Sequence, residues 1–165
     1  IFLVPRFETT VNQFANCVIC LNLFPDQSIL VTGNPEKLAN AFVAETLRFE
    51  SPAQVAPRLA GADATINGTN IKNGDMVWLL LGSANRDSAK FNNADTFNIE
   101  RTETRNLAFG DGIHRCIGAG LAEAEAATAL RALIKHFPDM QIQQPIEFQA
   151  PFGLRGPRKL LVTLK

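Results

Sequence analysis

Between Glu8 and Leu23, apolar residues fall at Val11, Phe14, Ala15, Val18, Ile19 and Leu21, close to the spacing of an α-helix. Pro5 suits a first helical turn but would kink a helix continuing from upstream. Phe24 to Asp26 breaks the pattern, and Gln27 to Leu30 is predicted as a short second helix. GNPEKLANAFVAETLRF then reads as a capped helix, with Asn34 as N-cap, Pro35 at the first position and Glu36 in the first turn. Its core stripe is Leu38, Ala41, Phe42 and Leu47, and Ser51-Pro52 should end it. After that the period changes. ATINGTNIKNGDMVWLLL carries turn signals at Asn67-Gly68 and Asn73-Gly74 around short strand-like runs, and Trp78 is assigned to the core. Asn85 to Ala108 is polar and irregular, anchored by Phe91, Phe97 and Leu107. A loop of that length is unusual unless it has a task. GLAEAEAATALRALIKHF is the strongest helix, with Leu130, Leu133, Ile134 and Phe137 on one face and Pro138 as its stop. His136 lies in its last turn, where a cation complements the helix dipole, so it reads as structural rather than as a ligand. PFGLRGPRKLLVTLK reads as a turn and a terminal strand. The pattern is mainly α with small β ribbons at the side.

Composition narrows the class. A chain of 165 residues suits one domain, able to bury roughly two thirds of its unfolded surface. Hydrophobic residues at 46% and charged residues at 19% are globular proportions. Sixteen basic residues balance sixteen acidic ones, which argues against a nucleic-acid or membrane-surface partner recruited by net charge. Apolar runs such as Val77 to Leu81 are too short to cross a bilayer. No secretory pattern is visible, and the odd count of three cysteines fits a reducing compartment, so a soluble, cytoplasmic protein is expected. A first residue of Ile1 is consistent with a processed product or a fragment.

The chemistry concentrates in FGDGIHRCIG, Phe109 to Gly118. Cys116 sits there between a Gly-rich loop and the start of the long helix near Gly118. Unsatisfied amides and a partial positive charge at a helix N-terminus favour a thiolate, the form that binds a soft metal. Glycines at 110, 112 and 118 let the backbone turn its amides toward the sulfur. One thiolate cannot build a four-ligand zinc site, but it is the axial arrangement a haem iron needs.

Phe109, Gly110, Gly112, His114, Cys116 and Gly118 resemble the haem-ligand signature of the cytochrome P-450 superfamily, in its soluble bacterial form. The resemblance implies a P-450-like fold and a haem b (iron protoporphyrin IX) cofactor, with Cys116 as the proximal iron ligand. It also implies that Phe109 packs beside the sulfur, that His114 bonds a haem propionate, and that Gly118 belongs to the cofactor loop. Arg58 in SPAQVAPR matches the family arginine that reaches a propionate from the first β ribbon. Glu45 and Arg48 stand three apart on one helix face, and in the family such a pair joins an arginine of the irregular meander, here Arg101.

The match covers only the C-terminal part of the family, from the second half of the distal helix to the terminal strand, as a single haem-binding domain over residues 1–165. Glu8 and Thr9 of FETT align with the acid–alcohol pair credited with proton relay to iron-bound dioxygen. Two departures weaken that carry-over: Pro5 and Arg6 stand where small residues are usual, and the family's upstream part, with the substrate roof and the front half of the distal helix, has no counterpart in this sequence. Separately, Glu123 stands where an arginine is usual, which bears on the proximal surface. A haem held by this segment alone would be open on one side. Surfaces including the Phe14 and Val18 stripe would be exposed, so a haem-dependent fold and a homodimer are expected.

The resemblance implies a haem-thiolate monooxygenase acting on a small apolar organic substrate, fed by a ferredoxin or flavoprotein, with peroxide-driven oxidation favoured in so short a chain. A non-catalytic haem-binding or electron-carrying module, or an inert piece of a longer enzyme, remains the alternative. A third class rests on CVIC, Cys17 to Cys20, whose spacing suits zinc or dithiol chemistry. No second pair completes a zinc site, and both thiols read as small buried hydrophobes.

Overall fold

The computed structural model describes residues 3–103, 105–149 and 153–164, with side chains from Phe7 onward. Three helices open the chain: α1 (Leu3–Leu23), α2 (Pro25–Gly33) and α3 (Pro35–Phe49). The axis turns by 108° between α1 and α2, where Phe24 precedes a proline that supplies no amide to continue the ladder. The Asn34 side chain accepts from the Lys37 N–H, so α3 is capped as its sequence requires. The second helix runs further in both directions than Gln27 to Leu30, because Pro25 nucleates it.

Strands β1 (Val55–Leu59) and β4 (Met76–Leu80) pair antiparallel, and between them β2 (Ala64–Ile66) and β3 (Thr69–Ile71) form a hairpin. Asn67 and Gly68 both hold positive φ at its tip, the geometry a two-residue turn between right-twisted strands requires. A four-residue helix, α4 (Leu81–Ala84), leads into the meander. After the Cys loop, α5 (Ala119–His136) crosses back over α3 and α1. Two small ribbons close the chain: β5 (Gln141–Ile142) with β8 (Val162–Thr163), and β6 (Glu147–Phe148) with β7 (Pro157–Lys159).

The core lies where α1, α3 and α5 meet. Ala126 and Ala127 let α5 approach closely, and Leu130 and Ile134 fill the space against Phe42, Val43 and Leu47. The α1–α2 elbow is pinned aromatically. The Phe24 ring stacks on Phe97 with centroids 4.6 Å apart, while Phe42 and Phe49 meet Phe97 edge-on at 5.2 and 5.6 Å.

Three expectations are corrected. Trp78 is 47% exposed rather than core, because β1 and β4 form a two-stranded ribbon whose residues are nowhere fully buried. Val18 is buried at 4% exposure and Phe14 is half-buried; the exposed apolar residues of α1 are Phe7, Val11 and Leu23. Helical spacing identifies a stripe, but α1 is apolar on several sides and its packing against α5 and α3 selects the face. The anticipated stripes of α3 and α5 are only partly buried at Leu38, Ala41 and Leu133, and Phe137 is exposed.

Candidate functional site

The Cys loop is built by backbone hydrogen bonds around two reversals. Gly110 and Gly112 hold φ of +68° and +62°, a region that side chains strain to reach. The Gly110 N–H bonds the Leu107 carbonyl at 2.9 Å, and the Arg115 N–H bonds that of Gly112 at 3.1 Å across a single 3₁₀ turn. The Cys116 N–H then reaches back to the Phe109 carbonyl at 2.8 Å. Phe109 packs against the core, so the strand of loop behind the cysteine is anchored while the thiol faces outward. Ala119 begins α5 three residues later, with Gly118 at its N-cap, as the sequence requires.

Exposure around the sulfur is unusual. Ile113 is 97% and Ile117 95% exposed, on either side of an exposed thiol. Two bulky aliphatic side chains this free on one short loop make a surface suited to an apolar partner. His114 is also exposed. Arg105 and Asp111 form an exposed ion pair at 2.8 Å beside the loop. Hydrogen bonding from the Gly112 amide, with Arg105 next in importance, holds the Asp111 carboxyl below its ordinary range.

Behind the loop stands a buried charge cluster. Arg48, 2% exposed, pairs with Glu45 through two bonds of 2.7 and 2.8 Å. Its remaining donors reach the carbonyls of Asn85, Ala94 and Thr96 at 2.8, 2.8 and 3.0 Å. Arg101 approaches Glu45 at 3.4 Å and itself holds the Asn92, Asn93 and Thr96 carbonyls. The Asn98 N–H adds a bond of 2.9 Å to the same carboxylate. The expected trio is therefore assembled; its outward hydrogen bonds go to backbone, while the Arg48 guanidinium also lies over the Phe49 and Phe91 rings.

Asn85 links this cluster to the cysteine. Its carbonyl receives Arg48, while its side-chain oxygen receives the Leu107 N–H at 2.7 Å. Leu107 in turn accepts from Gly110 in the loop. Sequence reasoning missed Asn85; an asparagine opening a long polar segment carries no signal of burial, and here it is wholly buried.

Other candidates are placed differently. Arg58 lies on β1, half-buried, and its guanidinium donates to the Pro57 carbonyl at 2.8 Å. Glu8 is exposed and Thr9 half-buried near the start of α1, away from the sequence of hydrogen bonds just traced. The side chains of Pro5 and Arg6 lie outside the described residues. Cys17 and Cys20 are fully buried; burial pushes the Cys17 thiol up to about 12, against hydrogen bonds from Thr46 and Gln13, and raises Cys20 well above its ordinary value. Among the described residues no cluster of three or more His, Cys, Asp or Glu is arranged to hold a metal ion. Among those residues no single helix is long and apolar enough to cross a membrane.

Residues 37–160 match the family model described as Cytochrome P450. The chain is 40% identical over 159 residues to the biotin biosynthesis cytochrome P450 of Bacillus subtilis (strain 168), a match covering 96% of this chain and 40% of that protein. It is 39% identical over 168 residues to the polyketide biosynthesis cytochrome P450 PksS of the same organism, covering 99% and 41% respectively. Among solved structures, P450BioI in complex with hexadec-9Z-enoic acid ligated acyl carrier protein superposes with a TM-score of 0.92 at 40% identity, covering 96% of this chain and 41% of that one. The himastatin hydroxylase HmtN superposes with a TM-score of 0.94 at 30% identity, covering 99% and 44%. The chain spans about two fifths of the length of the curated relatives it matches.

Proposed function

Since the chain belongs to the cytochrome P450 family, we propose that residues 1–165 act as one haem-binding domain of a haem-thiolate monooxygenase, with Cys116 as the iron ligand. The observation that carries this reading is the loop itself: an exposed thiol on an anchored backbone, flanked by Ile113 and Ile117 in nearly full exposure. These residues fit haem b. A soft anionic donor suits the iron, and two aliphatic side chains suit a flat apolar ring. His114 and Arg58 would hold the propionates by charge-assisted hydrogen bonds, and Phe109 and Gly118 would frame the sulfur. Bound haem supplies oxygen activation and the insertion of an oxygen atom into a substrate C–H bond.

The chain's own contribution is support and proton handling. Buried Arg48 and Glu45, through Asn85 and Leu107, keep the loop in one shape, so the thiol meets the iron without reorganisation. Glu8 and Thr9 would hold a proton at a carboxylate beside a hydroxyl, in reach of water. A small apolar organic substrate fits the chemistry; one solved relative carries hexadec-9Z-enoic acid on an acyl carrier protein. Electrons would come from a ferredoxin or flavoprotein in a full cycle, and peroxide would replace them in this chain alone.

The decisive test is the absorption spectrum of the reduced, carbon monoxide-treated protein after loading with haemin. A thiolate-type band is expected in wild type and its loss in Cys116→Ala. Turnover of a chromogenic donor with peroxide should fall in parallel; equal spectra and equal rates in the two proteins would remove the thiolate role.

A further inference from the structure

Five buried side-chain polar atoms lack a hydrogen-bond partner among the described residues, and three of them belong to one stretch of α1: Asn12 Nδ2, Gln13 Oε1 and Asn16 Oδ1. None of these side chains is more than 3% exposed. At 3.6 residues per turn, positions 12, 13 and 16 fall within roughly 100° of arc, so the three amides share one buried face. The groups around them are already committed. Asn16 Nδ2 donates to the carbonyls of Glu50 and Arg155 at 2.8 and 3.3 Å, and Gln13 Nε2 makes a 3.5 Å contact with Cys17 Sγ. The opposing wall is the turn at Gly156, which approaches so closely that a Cβ there would sit 2.2 Å from Asn12 Oδ1 and 2.8 Å from Asn12 Cβ.

Leaving three buried amide atoms unpaired would cost a large share of a domain's net stability. Their identities suggest the remedy. One is a donor and two are acceptors, the complement of a single water, which accepts one bond and donates two. No ionisable side chain is among the three, so the pattern offers no countercharge to an anion or a cation. We propose that Asn12, Gln13 and Asn16 form an amide cage that binds an internal water between α1 and the closing turn, with Gly156 required to leave Asn12 its place. The helix that carries Glu8 and Thr9 is thereby docked on the chain's C-terminal segment through a hydrated joint. The inference is independent of the haem reading.

The test is a crystal structure of the protein at a resolution that shows ordered solvent, paired with NMR cross-relaxation between water and the side-chain amide protons. Wild type should show a water within hydrogen-bond range of at least two of the three atoms, and a long-lived cross-peak at Asn12. The Asn16 side-chain amide should show the same cross-peak, and lose it in Asn12→Leu and in Gly156→Ala. A wild-type structure in which the three amides pair with one another, or with no water between them, would overturn the proposal even if neither variant folds. An Asn16 cross-peak that survives Asn12→Leu would overturn it as well.

Discussion

The sulfur of Cys116 meets solvent at a loop, whereas those of Cys17 and Cys20 are sealed inside α1. That contrast sets their reactivity, since only an accessible thiolate is a nucleophile or a ligand. Alkylation with iodoacetamide should label Cys116 and spare the other two, and haemin should protect it; peptide mass mapping gives the answer directly. The buried pair has a consequence for alkaline stability. Unfolded thiols ionise near the ordinary value of 9.0, but the folded Cys17 keeps its proton to about 12. Above pH 9 the unfolded state therefore binds fewer protons than the folded state. The stabilisation present below that pH is lost as pH rises, by about 1.4 kcal/mol per pH unit for each thiol. Denaturant melts between pH 8 and pH 11 should show a shallower decline in Cys17→Ala than in wild type.

Among the elements, the meander is the one that most needs explanation, because it has almost no ladder of its own. Its path is set by Arg48, which spends two bonds on Glu45 and three on carbonyls of residues 85, 94 and 96. Removing one partner of a buried ion pair leaves the other uncompensated, at a cost of about 3–5 kcal/mol. Arg48→Ala should lower the melting midpoint by on the order of 10 °C, and Arg48→Lys should recover only part of that, since an ammonium cannot present five donors in a fork. Calorimetry of the three proteins decides it. Much of this element was legible. Glu45 and Arg48 stand at a commonplace helical spacing, the family resemblance supplied Arg101 as their partner, and Phe91 and Phe97 were anchors by their apolarity alone. Asn85 was not legible, because its role comes from being buried between the Arg48 guanidinium and the Leu107 N–H, 37 and 22 residues away. Neither was the polar stripe at Asn12, Gln13 and Asn16, which helical periodicity reads as a solvated face. The orientation of α1 also escaped: Val18 and Val11 both suit an apolar stripe, and only the packing of α5 decides that the first is inside.

For the molecule as a whole, exposed apolar side chains stand on α1 and α2, on the β1–β4 ribbon, on the Cys loop and near the C-terminal end. Leu59, Met76 and Trp78 are all about half exposed or more, as are Phe7 and Ile117. Exposed apolar side chains in this number favour association. Sedimentation velocity across a range of concentrations should show self-association of the chain, weakened when haemin is bound and the faces around Cys116 are covered. A concentration-independent monomer would dispose of the expected homodimer.

The carbonyls that Arg48 grips have one further implication, for how this stretch tolerates change. A carbonyl is common to every amino acid, so the guanidinium reads the course of the chain and ignores most of its lettering. Position 96, which is exposed, can accept different residues while the trace through it stays the same, whereas Ala94 is buried and lysine replaces Arg48 only in part. Diversity introduced at the exposed positions of this segment, by drift or by library design, should accumulate without moving the cysteine it supports.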